Sequence, residues 1–164
     1  MRNWDELLPK AEAIARLLGA LGENLAVAES STGGLVSAAL LAVPGASSYF
    51  TGGLVVYTQA VRSLLIQPAD MEGLRPSTEP YALLLATRAR ERLGATWALS
   101  ETGAAGPTGN RYGDAAGHSC MAVAGRTQRA ITLETGSADR AANMWTFAAR
   151  ALDLLAEVLA SSPK

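Results

Sequence analysis

The stretch Ala26-Val27-Ala28-Glu29-Ser30-Ser31-Thr32-Gly33-Gly34 decides how the rest of the chain is arranged. The apolar run Leu25–Ala28 predicts a short buried strand, and the apolar segment Leu35–Val43 predicts a helix. A strand that turns sharply into a helix leaves the unpaired amides of the first helical turn at the edge of the sheet. Those amides can hold a phosphate, a carboxylate or a developing oxyanion, and Gly33 and Gly34 let a ligand approach the backbone.

Three hydroxyl residues, Ser30, Ser31 and Thr32, lie at this turn and allow three interpretations. Serine and threonine are ordinary caps of a helix, so they can simply satisfy its amides. They can also bind the anion, or one of them can act as a nucleophile. The motif by itself leaves the three open.

Composition limits the class of protein. The chain has 164 residues, of which 49% are hydrophobic and 18% charged, so we expect one globular domain over residues 1–164. A net charge of −1 offers no electrostatic footprint for nucleic acid or an anionic membrane, and no apolar run reaches the ~20 residues of a membrane span. The single cysteine, Cys120, and the lack of a secretory signal predict a cytoplasmic protein without a disulfide framework.

The order of the predicted elements indicates an α/β fold. Strands and helices are interleaved, so helices are expected on both faces of the sheet, in a three-layer α/β/α sandwich. A predicted hairpin near the end of the chain means that the sheet is mixed. The other predicted strands are Tyr49–Tyr57, Thr96–Ser100, Ser119–Ala124 and Ala130–Glu134; the predicted helices begin at a cap on Asn3, at Thr58, at a cap on Ser77 or Thr78, and at Gly136-Ser137.

A second loop rich in glycine and hydroxyls, Glu101–Asn110, follows the strand Thr96–Ser100. Ligands of open α/β sheets bind at the carboxyl ends of strands, so the two loops form one pocket if their strands are neighbours. Neither loop has the spacing of a phosphate-binding lysine loop or of a dinucleotide-binding turn. Glu29 and Glu101 can be an acid–base pair, or can bind loop amides or a basic partner.

Metal chemistry finds little support in the sequence. His118 is the single histidine, and it has no second histidine or cluster of carboxylates at ligand spacing. Such a histidine at the start of a strand is more often structural than functional. We therefore expect neither a metal nor a cofactor.

The order of five motifs resembles the CinA C-terminal domain family, whose stand-alone members include nicotinamide-nucleotide amidases. The family carries Glu-Ser-Cys-Thr-Gly-Gly, a proline-glycine-serine turn, Gly-x-Val-x-Tyr-Ser-Asn-x-x-Lys, Ser-Gly-Ile-Ala-Gly-Pro, and a Val-Gly-Thr strand start. The corresponding segments are ESSTGG (29–34), VPGASSYF (43–50), GLVVYTQAVR (53–62), ETGAAGP (101–107) and AAGHS (115–119). The similarity covers essentially the whole chain, although larger family members carry a further domain before this one, which is not expected here.

The resemblance implies an amidohydrolase that converts nicotinamide mononucleotide and water to nicotinate mononucleotide and ammonia. By position, the family's serine nucleophile, tyrosine and lysine correspond to Ser30, Tyr57 and Arg62. The resemblance further implies a homodimer and a small-molecule substrate. The residues expected to contact that substrate are Glu29, Ser31, Thr32, Gly33, Gly34, Thr102, Gly103, Ala105, Gly106, His118 and Arg140.

Several positions depart from the family pattern. The family lysine is Arg62, and a guanidinium does not lose its proton to serve as a base. Tyr57 must then accept the serine proton, with the charge of Arg62 favouring the phenolate, or Arg62 binds the ligand phosphate with its planar fork. The family cysteine is Ser31, and its Asn is Gln59.

Two further departures lie late in the chain. The family threonine is His118, which raises the functional interest of that histidine. The family Gly-Asp-Arg corresponds to Gly136-Ser137-Ala138, so an arginine that can hold the phosphate is missing unless Arg140 replaces it.

These departures leave two alternatives to the amidase. The chain can be a relative that binds a nucleotide-like ligand without turnover, with Ser30 as a helix cap and phosphate ligand. It can also hydrolyse a different amide or ester. The apolar stripe of the last helix, with Trp145, can serve a dimer, although packing into the core explains the same stripe.

Overall fold

The computed structural model describes residues 4–162. Within this range five helices and five strands are interleaved, with the last three strands consecutive in the chain, and two short 3₁₀ turns lie at Ala46–Ser48 and Pro68–Met71. The helices are α1 (Trp4–Leu21), α2 (Leu35–Leu41), α3 (Gln59–Arg62), α4 (Glu79–Leu93) and α5 (Arg140–Ser161). The strands are β1 (Leu25–Glu29), β2 (Phe50–Val55), β3 (Trp97–Ala104), β4 (His118–Ala124) and β5 (Gln128–Glu134).

The strands form one mixed sheet in the order β2-β1-β3-β4-β5. β1 pairs in parallel with β2 and with β3, whereas β4 is antiparallel to β3 and β5. The two strands whose ends carry the glycine- and hydroxyl-rich segments are therefore neighbours, with Ala28 beside Ser100. Their carboxyl ends lie at the same edge of the sheet, which is the condition for one shared pocket.

Helices cover both faces of the sheet and confirm the predicted three-layer sandwich. On one face, α1, α2 and α5 pack into a core that includes Leu7, Leu40 and Leu155. On the other face, α4 packs on the sheet through small residues such as Ala82 and Ala86. Burial of these apolar side chains is the main stabilising contribution to the fold.

β3 is longer than predicted. The apolar run ends at Ser100, but antiparallel pairing with β4 continues as far as Ala104 beside His118. The hairpin partner supplies backbone hydrogen bonds to residues whose side chains are polar, so apolar periodicity does not mark the end of the strand. Glu101 and Thr102 therefore belong to a strand, and the prediction that they lie in a loop is wrong.

α2 begins where it is predicted to begin, whereas the first turn of α5 lies later than predicted. α2 begins at Leu35 because Gly33 and Gly34 have φ values of 63° and 102°, in the left-handed region that excludes helical continuation. α5 begins at Arg140, where the Asp139 side chain caps the amide of Ala142, and not at Gly136-Ser137. The predicted cap at Asn3 lies outside the described residues.

The apolar stripe of α5 faces inward. Ala148, Leu152 and Leu159 are buried, and Trp145 packs edge-on against Trp4 with ring centroids 5.6 Å apart. Core packing therefore accounts for the stripe, and the homodimer remains a prediction from the resemblance. Within residues 4–162 no helix is long and apolar enough to cross a membrane.

Candidate active site

A cleft of about 390 Å³ opens at the carboxyl edge of the sheet, and we call it the inner cleft. Ser30 follows β1, Tyr57 follows β2, and Thr102 and Gly103 lie near the end of β3; these four residues line it. Arg62, in α3, lines it from the side. The topology thus brings together the three residues assigned to catalysis by the resemblance.

Ser30 is half-buried at the point where the chain leaves β1. Its backbone amide donates a hydrogen bond to Oε2 of Glu101 over 3.2 Å. Its hydroxyl has no hydrogen-bond partner among residues 4–162, although it lines the inner cleft. A hydroxyl that is held by its backbone but left unpaired toward a cleft is available to a ligand.

Glu29 caps helix α2 from the end of β1. Its buried carboxylate accepts hydrogen bonds from the amides of Val36 (3.2 Å) and Ser37 (3.0 Å), and from the hydroxyls of Thr32 and Ser37 (both 2.6 Å). Gly53 makes this possible, because a Cβ there would lie 2.0 Å from Oγ of Ser37. The helix N-terminus that the sequence offered to a ligand is therefore occupied by the chain's own carboxylate.

Glu101 organises the turn after β1 from the neighbouring strand. Its carboxylate accepts from the amides of Ser30 and Thr32 (3.0 Å), from the hydroxyls of Ser31 and Thr32 (3.1 Å), and from Ser119 Oγ (2.9 Å). Burial raises the pKa of Glu101, while the donated hydrogen bonds act in the opposite direction. We call Glu29 and Glu101, with the groups that they bind, the floor of the cleft.

Hydrogen bonds made by the turn limit which of its amides can stabilise an oxyanion. The amide of Thr32 donates to Glu101, and the amide of Gly33 donates to the Ser30 carbonyl over 3.1 Å. Among the amides of Ser30 to Gly33, that of Ser31 is the one without a partner within residues 4–162, so it is the candidate donor to a developing negative charge next to Ser30.

Several predicted contact residues do not line the cleft. Glu29 and Thr32 are fully buried beneath it. A Cβ on Gly33 would lie 3.1 Å from Met144 of α5, and one on Gly34 would lie 3.9 Å from Val55, so the two glycines shape the turn. Their positive φ angles are the physical reason for glycine here, rather than the approach of a ligand.

A smaller cavity of about 210 Å³ adjoins the inner cleft and shares Tyr57, Gly103 and Asn110 with it. Its lining includes five of the predicted contact residues, namely Ser31, Gly103, Ala105, Gly106 and Arg140.

Arg140 joins the two sides of this cavity. Its guanidinium donates to the Gly106 carbonyl over 2.7 Å and to the Tyr57 hydroxyl over 3.0 Å. The cation in contact with Tyr57 is thus contributed by α5. The sequence analysis assigned that role to Arg62, but the residue in contact with Tyr57 is Arg140.

Arg62 has a different neighbour. Its guanidinium lies over the ring of Tyr81, 5.6 Å from the centroid, and makes no ion pair with a carboxylate of the described chain. Tyr81 is buried at the start of α4 and lines the inner cleft. Burial raises the pKa of Tyr81, so its phenol stays protonated and can only hydrogen-bond or pack against a ligand at neutral pH.

His118 lies outside both cavities and has a structural role. Its Nε2 donates to the carbonyl of Ser77 over 2.8 Å, and its Nδ1 contacts the carboxylate of Glu134. Burial alone would lower the pKa of His118, but the hydrogen bonds to Glu134 and Ser77 and the charge of Asp114 raise it. The histidine therefore holds Ser77, which has a φ of 60° and lines the inner cleft, instead of meeting the substrate.

Sequence reasoning missed three polar residues of the cleft wall, Asn110, Arg111 and Tyr112. They lie in the loop between β3 and β4, in the segment GNRYGD, whose cationic and aromatic side chains were the available signal. The loop is folded back by Asn110, whose side chain accepts from the amides of Tyr112 and Asp114. Backbone hydrogen bonds from Asn110 to Asp114 and from Gly113 to Asn110 complete the turn. Periodicity does not report such a turn, because these bonds follow no regular spacing of apolar residues.

The comparison with known proteins agrees with this architecture. The sequence profile described as the CinA C-terminal domain matches residues 8–159. The chain belongs to this family. The family predicted from the five motifs is therefore confirmed. Separately, among residues 4–162 no group of three or more His, Cys, Asp or Glu side chains is placed to hold a metal ion.

Two curated relatives show how much of this CinA-family chain is matched. A CinA-like protein from Synechococcus is 41% identical over 118 residues, which are 71% of this chain and 28% of the relative. One from Chlorobium limicola is 36% identical over 148 residues, which are 86% of this chain and 34% of the relative. The chain thus spans about a third or less of the curated relatives that it matches.

Two solved structures share the fold. The competence or damage-inducible protein from Enterobacter asburiae has a TM-score of 0.86 at 28% identity, over 93% of this chain and 98% of that chain. A CinA superfamily protein from Klebsiella pneumoniae has a TM-score of 0.88 at 26% identity, over 95% and 99% of the two chains.

Proposed function

We propose that this chain hydrolyses the carboxamide of a pyridine nucleotide, converting nicotinamide mononucleotide and water to nicotinate mononucleotide and ammonia. The observation that supports the proposal best is the unpaired hydroxyl of Ser30 in the same cleft as Tyr57. The Tyr57 oxygen is in turn bound by the Arg140 guanidinium at 3.0 Å. A nucleophile, a proton acceptor and a group that orients the acceptor are the parts that acyl transfer requires.

In the first half of the reaction, Ser30 Oγ attacks the carboxamide carbon and its proton passes to the Tyr57 oxygen. The tetrahedral intermediate collapses with cleavage of the C–N bond, and Tyr57 returns the proton to the departing nitrogen, which leaves as ammonia. Arg140 stabilises the negative phenol oxygen that this role requires. The amide of Ser31 is the donor assigned to the oxyanion.

In the second half, water attacks the ester carbon that links the acyl group to Ser30. Tyr57 accepts a proton from the water and returns it to Oγ of Ser30 when the ester bond breaks. Nicotinate mononucleotide is released and the serine is restored, so one water is consumed for each ammonia formed.

In this scheme Arg62 needs no proton-transfer role. A guanidinium keeps its charge and presents a planar fork that matches phosphate oxygens. We assign Arg62 to the phosphate of the nucleotide, which frees Tyr57 and Arg140 for the chemistry.

Ammonia release from nicotinamide mononucleotide, measured with the purified protein and with Ser30→Ala, tests the proposal. The wild type should release ammonia, and the variant should be slower by at least about a thousandfold, because the nucleophile is gone. The exposed Ser47 offers a matched control, since Ser47→Ala removes the same atom away from the cleft. Equal rates for wild type and Ser30→Ala, with both folded, would overturn the assignment of Ser30.

Binding without turnover is the second candidate. It is favoured by the three cations around the cleft, Arg62, Arg111 and Arg140, none of which pairs with a carboxylate within residues 4–162. In that case the nucleotide should protect the fold against heat while neither protein releases ammonia.

A further inference from the structure

The inner cleft continues into a second space of about 400 Å³, which we call the outer chamber. The two cavities share Gln59, Arg62, Pro76, Arg111 and Tyr112 as lining residues. These five therefore stand at the boundary between them. A ligand that reaches past this boundary from Ser30 enters the outer chamber.

Two cations without carboxylate partners mark that boundary. Arg62 lies over Tyr81, and Arg111 lies over Tyr112 at 5.1 Å and donates to its hydroxyl over 3.0 Å. Neither forms an ion pair within residues 4–162, in contrast to Arg75, which binds Asp114 through two hydrogen bonds. Two uncompensated guanidiniums at one boundary favour a phosphate group there.

The wall that carries Arg111 is held in place from behind. Asp114 accepts from Arg75 at 2.7 and 3.0 Å and from the side-chain amide of Asn110 at 2.8 Å. Arg75 also lies 5.9 Å from the Tyr112 ring centroid, so that this ring contacts a guanidinium from Arg75 as well as from Arg111. The aromatic ring at the boundary is thus preorganised, which lowers the entropic cost of binding.

The lining of the outer chamber is more apolar than the boundary that it shares with the inner cleft. Beyond the boundary it includes the apolar residues Ile66, Pro68, Met71 and Leu74, together with the polar residues Ser63, Gln67 and Arg75. Arg75, the further cation of this lining, is bound to Asp114, so within residues 4–162 no additional unpaired cation lines the chamber to bind a terminal phosphate. Apolar side chains next to a tyrosine ring instead suit a planar organic group such as a nucleobase.

On the basis of the proposed amidase function, we propose that the substrate is a pyridine dinucleotide, in which the phosphate of the mononucleotide is joined to an adenosine 5′-phosphate. The two phosphates bind Arg62 and Arg111, and the adenosine occupies the outer chamber. The carboxamide remains at Ser30, so the bond that breaks is the same C–N bond. The mononucleotide uses only the inner part of this site.

Ammonia release from three substrates that carry the same carboxamide tests the proposal: nicotinamide riboside, nicotinamide mononucleotide and NAD. We expect kcat/KM to rise in this order, with NAD at least about tenfold above the mononucleotide. An equal or lower value for NAD, with the mononucleotide hydrolysed, overturns the dinucleotide proposal and leaves the amidase intact. Ammonia from none of the three overturns the proposed function.

Calorimetric binding to the Ser30→Ala variant tests the subsite without catalysis. NAD should bind at least about tenfold more tightly than the mononucleotide. Equal or weaker binding of NAD overturns the dinucleotide subsite, whatever the result of the ammonia assay.

A filled outer chamber provides the structural control. Ser63 lines the outer chamber and not the inner cleft, so Ser63→Trp should lower the ratio of the two kcat/KM values, NAD over mononucleotide, by at least about tenfold. Ser47→Trp places the same side chain on an exposed position elsewhere and should leave the ratio unchanged. A ratio that is the same in both variants contradicts the proposal.

Discussion

The floor of the cleft differs from its rim, which we define as Tyr57, Arg62, Arg111 and Arg140, in whether its polar side chains have partners within the protein. The floor holds two carboxylates, Glu29 and Glu101, with exposed fractions of 0% and 1%, and neither pairs with a cation within residues 4–162. The rim carries Tyr57, which is 57% exposed, and three cations without carboxylate partners in the same part of the chain. The buried carboxyl groups are hydrogen-bonded by amides and hydroxyls, while the charges at the rim are left for a ligand.

The floor therefore fixes the geometry of the cleft, whereas the rim supplies the groups that can act on a ligand. A buried acceptor that binds several donors fixes the positions of those donors, because breaking any hydrogen bond leaves an unsatisfied group. An exposed cation contributes little to stability, because water solvates it in the folded and unfolded states alike. Mutations in the floor should therefore act on stability, and mutations at the rim should act on turnover or binding.

Glu101→Ala should have the largest effect on the floor. It leaves the buried groups of Ser31, Thr32 and Ser119 without their acceptor, and we expect a loss of about 3–5 kcal/mol in the free energy of unfolding. Urea denaturation measures the loss. A loss below about 1 kcal/mol would contradict the role of the floor.

Glu101→Gln sharpens the same test because it keeps the shape and one acceptor. Burial raises the pKa of Glu101, so its contribution to stability is full below about pH 4.3, the value of an unfolded glutamate, and is lost as the pH rises through the folded value. The stability gap between wild type and Glu101→Gln should therefore narrow as the pH rises.

Arg140→Ala tests the rim. Loss of the guanidinium removes the group that orients Tyr57, and kcat should fall by about 10- to 100-fold with little change in KM. Because the side chain is exposed, the free energy of unfolding should stay within about 0.5 kcal/mol of the wild type. Arg140→Lys should recover part of kcat. A change confined to KM would instead make Arg140 a substrate-binding residue.

His118 links stability to pH, and the sign follows from its surroundings. The pKa of His118 is raised in the folded protein. Its contribution to the free energy of unfolding is therefore full below about pH 6.5, the value in the unfolded chain, and is lost as the pH rises through the folded value. His118→Gln should therefore lose more stability at about pH 6 than at about pH 9. Thermal unfolding at both values measures this, and a pH-independent difference would contradict a charged histidine.

Arg62→Lys should have the smallest effect. The charge at the boundary is kept but the planar fork is lost, so KM for a phosphorylated substrate should rise by about threefold with kcat unchanged. Steady-state kinetics separates the two constants. A large gain in kcat would instead show that a lysine base is still functional at this position, and that Arg62 belongs with the chemistry.

Part of this site could be predicted from the sequence for a local reason. Ser30 and Tyr57 stand at the ends of strands that apolar patterning marks, and neighbouring parallel strands place their ends at one edge. Arg111 and Tyr112 could not be placed in the same way, because their loop is held by side-chain and backbone hydrogen bonds around Asn110 that no apolar pattern marks. Arg140 could be named from the sequence, but its contact with Tyr57 depends on how α5 docks on the sheet.

The sequence by itself determined the family, the alternation of strands and helices, and the nucleophile candidate at the end of β1, since each depends on residues that are near one another in the chain. Only the tertiary structure decided that Glu29 and Glu101 belong to the floor, that His118 holds the cleft wall, and that Arg140 is the cation on Tyr57. These contacts join residues that strand pairing and helix docking bring together, and no local pattern of propensity or periodicity encodes such a distance.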